Sequence, residues 1–268
     1  MMRNIIRTLV AVACALQLFA VASANDELPY MARIIVEHAT AETAGLGESV
    51  RSVLHVADPT AAIALLSAVN GLQIVGVDET TVHIEFARRP TLAAKPDKQH
   101  QRNSFVIDFD EASVRELGED LYSKHERRPT VDEIVTYVYE HIGNKSYARG
   151  FDLASQVAES GEGDCTEHAV LLAALARSSG YTARVIIGVV LLGNTAETLA
   201  FGHAWTEIHD GTDWQIKDAT LPDADGGPGN VRYLPLSTLD DEGPGYAFSM
   251  LYGVQAMPSK ITGLGNPD

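Results

Sequence analysis

The chain has 268 residues, 46% of them hydrophobic, and sets 20 Lys and Arg against 36 Asp and Glu for a formal charge of −16. No basic stripe interrupts that acidic balance, which excludes a surface built to hold nucleic acid or an anionic membrane. The length suffices for one large domain, or a small and a medium one, with a real core.

The first 24 residues read as a cleaved secretory signal. Arg3 and Arg7 form a basic start, residues 9–21 an apolar stretch, and Ala22-Ser23-Ala24 a small-residue cleavage site. The apolar stretch is short for a bilayer, and no later segment is long enough to span one. Export to the periplasm or the medium is therefore expected. Cleavage would leave 244 residues and a charge of −18, since Arg3 and Arg7 depart. Cys14 departs too, so Cys165 is the lone cysteine of the mature chain. Such a cysteine is a buried packing residue, a partner for another chain, or a reactive thiol.

Residues 32–37, 49–57, 72–77 and 81–87 are short β-branched runs and predict strands. Asp58-Pro59-Thr60 starts a helix whose apolar residues include Ile63, Leu66 and Val69, ending near Asn70-Gly71. Together these predict a small α+β domain over 25–95. Residues 90–104 are polar, with two prolines, and read as a linker. Residues 96–268 then form the second domain.

Helices are expected at 110–122 and 130–142, the second marked by a capping box of Thr130 and Glu133. Residues 144–160 read as an ordered loop or short helix. After Cys165 the run from His168 to Ala176 is apolar nearly all round, which predicts a buried central helix ended by Gly180. The continuous apolar run 185–192 predicts a strand deep in a sheet, and 193–201 a loop. Beyond Leu221 the chain is rich in Gly, Pro and Asp, with one strand candidate at 246–254.

Chemistry concentrates in two stretches, GEGDCTEHAVLLAALARSSG and FGHAWTEIHDGTDWQIKDAT. A cysteine at a helix N-terminus meets the positive end of the macrodipole and open backbone N–H groups, which favour thiolate and can hold an oxyanion. Asp210-Gly211 between alternating runs predicts a two-residue hairpin turn. That register sets His203 directly opposite Asp218, within reach of an imidazole–carboxylate bond. Cys165, His203 and Asp218 therefore suit a nucleophile, its base and the residue that orients the base. A metal reading through Cys165, His168, His203 and His209 lacks a compact ligand pair on one element, so no metal or other cofactor is expected. Asp223-Ala224-Asp225-Gly226 lacks the remaining ligands of a calcium loop.

At these residues the sequence resembles the transglutaminase-like superfamily. The Gly-Asp-Cys start, the Gly180 to Arg184 step, the His-Ala-Trp segment and Trp214 before Asp218 carry the likeness, over about residues 125–222. It implies an α+β, papain-like core: a buried helix with an N-terminal cysteine, packed on an antiparallel sheet. It also implies Cys165 as nucleophile, His203 as base and acid, and Asp218 as orienting carboxylate. A protein or peptide substrate follows, with hydrolysis (peptidase or deamidase) expected over cross-linking. The competing expectation is a binding or scaffolding module that keeps the fold without turnover.

Overall fold

The computed structural model describes residues 32–38, 47–145, 150–193, 198–222, 231–239 and 242–267. The expected signal segment and the Asp223–Gly226 stretch lie outside the described residues.

Among the described residues nine strands form one sheet in the order β3-β4-β2-β9-β1-β6-β5-β8, with β7 added to β6. In chain order these are β1 (Ala32–His38), β2 (Ser49–His55), β3 (Val69–Val77), β4 (Thr81–Leu92), β5 (Thr182–Gly193), β6 (Thr198–His209), β7 (Trp214–Lys217), β8 (Val231–Thr238) and β9 (Lys260–Gly265). Only the β1–β9 contact among these pairs is parallel. The helices are α1 (Pro59–Leu66), α2 (Ala112–His125), α3 (Val131–His141), α4 (Ala154–Ser160), α5 (Cys165–Ser178) and α6 (Tyr246–Gln255). The mixed α+β class inferred from the sequence is the class observed.

The strand alternation explains how the sheet is buried on both faces. Val185, Ile187, Ala204 and Ile208 pack with α2 to α5 in one core cluster. Ile186, Val190, Phe201, Trp205 and Tyr233 form another on the opposite face. A continuous apolar run is the solution to that demand, and β5 carries one from Val185 to Leu192. The central helix is equally closed: every residue of α5 from Cys165 to Arg177 is buried.

Four local expectations need correction. α1 ends at Leu66, and Val69 already begins β3. Residues 246–254 lie in a helix, α6, rather than a strand. β6 starts at Thr198, inside the stretch read as a loop. The polar stretch after β4 is also held in place. The carbonyl of Ala94 accepts from Arg184 Nη1 (2.9 Å) and Trp214 Nε1 (2.8 Å), and His100 is buried edge-on against Trp214. Two strands, β8 and β9, were not expected at all. β9 comes from the far end of the chain yet lies between β2 and β1.

Candidate active site

The site starts at the N-terminus of α5, where Asp164 and Glu167 cap the helix. Asp164 Oδ1 accepts from the Thr166 backbone N–H and hydroxyl, both at 2.8 Å. Glu167 Oε2 reaches back to the Asp164 N–H at 2.9 Å, completing a capping box. The other oxygen of Glu167 accepts the N–H of Asp152 at 3.0 Å. Gly163 is required here because a Cβ on it would stand 2.2 Å from the Glu167 Cβ. The signal for Glu167 was present as Asp-x-x-Glu.

β6 brings the histidine. On its outer side β1 pairs with residues as far as Gly202, and β7 joins only from Thr206. Among the described residues, 203–205 have no strand partner on that side. Cys165, wholly buried, sits against these residues with its sulfur facing the backbone N–H of Ala204. It meets the strand one residue from His203.

His203 Nε2 and Asp218 Oδ2 are 2.8 Å apart, and both side chains are buried. The contact is real but its register is not the one the sequence suggested. The turn has four residues, with Asp210 Oδ1 accepting from the Thr212 and Asp213 N–H groups. Thr206 pairs with Lys217 and Glu207 with Ile216. Asp218 stands one residue past the last pair and reaches His203 diagonally. Its second oxygen accepts the N–H groups of Thr220 (2.8 Å) and Leu221 (3.2 Å), and Tyr233 donates its hydroxyl to Oδ2 at 3.0 Å. Tyr233 was missed because its strand was missed.

Trp205 stacks on His203 with centroids 6.1 Å apart and meets Tyr233 at 5.1 Å. Gly188, opposite His203 in β5, makes room for the indole; a Cβ there would lie 2.7 Å from it.

The electrostatics follow from burial. Burial alone would push the Asp218 carboxyl up, but the charge and bond of His203, with Thr220 and Tyr233, outweigh it and hold it below the usual range. Burial pushes the Cys165 thiol up, reinforced by the charges of Asp164, Asp218 and Glu167, while the Ala204 N–H pulls it down. The direction is opposite to the one expected from the helix terminus, and its first cause is desolvation. Asp164 is pushed up to about 7 by burial and by Glu167.

The remaining histidines divide. His168 is fully buried one turn after Cys165. His209 sits at the hairpin tip, edge-on to Trp214. Among the described residues no group of three or more His, Cys, Asp or Glu side chains is placed to hold a metal ion.

Residues 115–219, which include Cys165, His203 and Asp218, match the family model described as the transglutaminase-like superfamily. The likeness to that superfamily is therefore located in residues 115–219. Among solved structures, this chain is similar to a candidate cysteine protease from Cytophaga hutchinsonii (12% identity, 72% of this chain and 77% of that one, TM-score 0.43). It is also similar to the periplasmic domain of TgpA from Pseudomonas aeruginosa (14% identity, 72% and 77%, TM-score 0.41). No curated protein matches the chain in sequence. Among the described residues no helix is long and apolar enough to cross a membrane.

Proposed function

We propose that the protein is an exported cysteine enzyme that transfers the acyl group of a protein or peptide amide, to water in preference to an amine. The observation that carries this reading is the buried His203–Asp218 pair, placed one residue from the N–H that faces the Cys165 sulfur.

With Nε2 bonded to Asp218, Nδ1 is the imidazole nitrogen that exchanges a proton with the sulfur. Because burial disfavours a bare thiolate, ionisation is tied to proton transfer onto His203, whose charge Asp218 then balances. The sulfur attacks the amide carbon, and His203 returns the proton to the leaving amine. The cap consumes the first-turn N–H groups of Thr166 and Glu167. That leaves the backbone N–H of Cys165 itself as the helix-terminal donor for the oxyanion. Water then attacks the thioester while His203 accepts its proton.

One observation favours the second reading, a binding module without turnover: the sulfur is completely buried and its thiol is pushed up. Incubation of the mature chain with glutamine-rich casein, with and without a fluorescent primary amine, separates the possibilities. The proposal expects ammonia or new amino termini, lost in Cys165→Ala, with little amine incorporated. Dominant incorporation would make it a cross-linker, and no product of any kind would favour the binding module. For the expected export, the mature protein recovered outside the cytoplasm should begin at Asn25; an intact Met1 terminus would contradict it.

A further inference from the structure

His168 has no part in the chemistry above, yet its placement is unusual. Its ring is fully buried, and Nδ1 lies 2.6 Å from the Asp164 carbonyl oxygen. A carbonyl only accepts, so Nδ1 carries the proton and Nε2 is a bare lone pair. That Nε2 is buried with no hydrogen-bond partner among the described residues. A buried acceptor without a donor is costly and calls for a reason. Its charged neighbours do not supply one. Among charged side chains Asp218 acts on His168 most strongly, followed by Lys145. Asp218 has no proton to give, and the Lys145 ammonium lies over the Tyr139 ring, 5.1 Å from its centre. Burial pushes the imidazole down, so it stays neutral and keeps that lone pair.

We propose that His168 is a positioning residue whose Nε2 accepts a hydrogen bond from the water that resolves the acyl-enzyme, an inference that rests on the acyl-transfer reading. Two facts support this: its buried position one turn after Cys165 and its fixed tautomer. The step balances. The water oxygen bonds to the acyl carbon as one proton passes to His203, the C–S bond breaks, and the free acid leaves. The thiolate returns to Cys165 and recovers its proton from His203. The second O–H of the water remains on His168 Nε2 throughout, which fixes the angle of attack.

Burst kinetics with p-nitrophenyl acetate test this on the mature chain, since the burst reports acylation and the later steady rate deacylation. His168→Asn keeps an N–H for the Asp164 carbonyl but removes the acceptor. His168→Gln loses that N–H but sets an amide oxygen near the position of Nε2. The expected result for Asn is a parental burst with a steady rate lowered about ten-fold, the effect of one positioned hydrogen bond. For Gln it is a steady rate within about three-fold of the parent. A parental steady rate in Asn, or Gln slower than Asn, overturns the inference and leaves His168 a structural residue. A parent with no burst that depends on Cys165 overturns the acyl-transfer reading, and this inference with it. Should the Asn variant not fold, the imidazole ¹⁵N shifts of the parent decide: an unprotonated Nε2 at neutral pH supports the assignment, and a protonated one overturns it.

Discussion

His203 and Asp218 meet on a diagonal, with Asp218 one residue beyond the last β6–β7 pair and Nε2 to Oδ2 at 2.8 Å. Side-chain reach, rather than strand register, closes the contact. A diagonal neighbour is within range of two such side chains, and the Tyr233 hydroxyl with the Thr220 and Leu221 N–H groups fixes the carboxylate from its other sides.

Asp218→Asn should keep the fold and lose the chemistry. The new amide N–H would donate to Nε2 and force the proton of neutral His203 onto Nδ1, the nitrogen needed to accept from sulfur. Turnover should fall about 10⁴-fold, as for the same change in a serine protease. The pH dependence of stability checks the pair separately. The folded Asp218 carboxyl lies below its unfolded value, so its contribution is full above about pH 4 and is lost as pH falls through the folded value. Between about pH 4 and pH 2 the parent should therefore lose more stability than Asp218→Asn does.

Asp164 has the opposite sign. Its folded value of about 7 lies above the unfolded one, so the protonated form is favoured by folding. That contribution is present at low pH and lost as pH rises through about 7. Asp164→Asn keeps a cap acceptor without the charge. The drop in melting temperature from pH 5 to pH 8 should shrink in this variant. It should not vanish, because Glu207 is also pushed up to about 7 by burial.

Core substitutions should separate stability from activity. Trp205→Ala removes a buried indole that backs His203 and should cost about 3–5 kcal/mol. Cys165→Ala removes one small buried group and should cost about 1 kcal/mol. Urea melts paired with activity assays should show the tryptophan variant heavily damaged in both stability and turnover, and the cysteine variant without turnover but close to parental stability.

The division near residue 95 can be tested with trypsin, which should cut first at Lys98, the exposed first residue of the short 3₁₀ turn. The proposed 25–95 unit contains β2 and β1, but β9 from the other fragment lies between them. The nicked fragments should therefore co-elute in gel filtration and separate only in denaturant.

The central helix and its flanking strand were legible because burial on every side leaves a continuous apolar run, as in α5 and β5. What escaped depended on distant partners. β8 contains Pro235, which argues against a strand from sequence, yet β8 is the sheet edge, where a missing N–H is tolerated. β9 is short and carries two glycines, so its strand character comes from β1 and β2 rather than from itself. The apolar run in α6 has no period that separates helix from strand. The hairpin turn was misread because Asp-Gly also fits a four-residue turn when the Asp side chain caps it. The thiol was misread because a helix terminus is visible in sequence and burial is not.

The most direct test of the account is to trap the acyl-enzyme. The mature chain is mixed with p-nitrophenyl acetate, quenched in acid within the burst, and digested for peptide mass analysis. The account predicts an acetyl group on the Cys165 peptide of the parent, and its loss or strong slowing in His203→Ala. Acetylation elsewhere only, or labelling of Cys165 at the parental rate without His203, would contradict it.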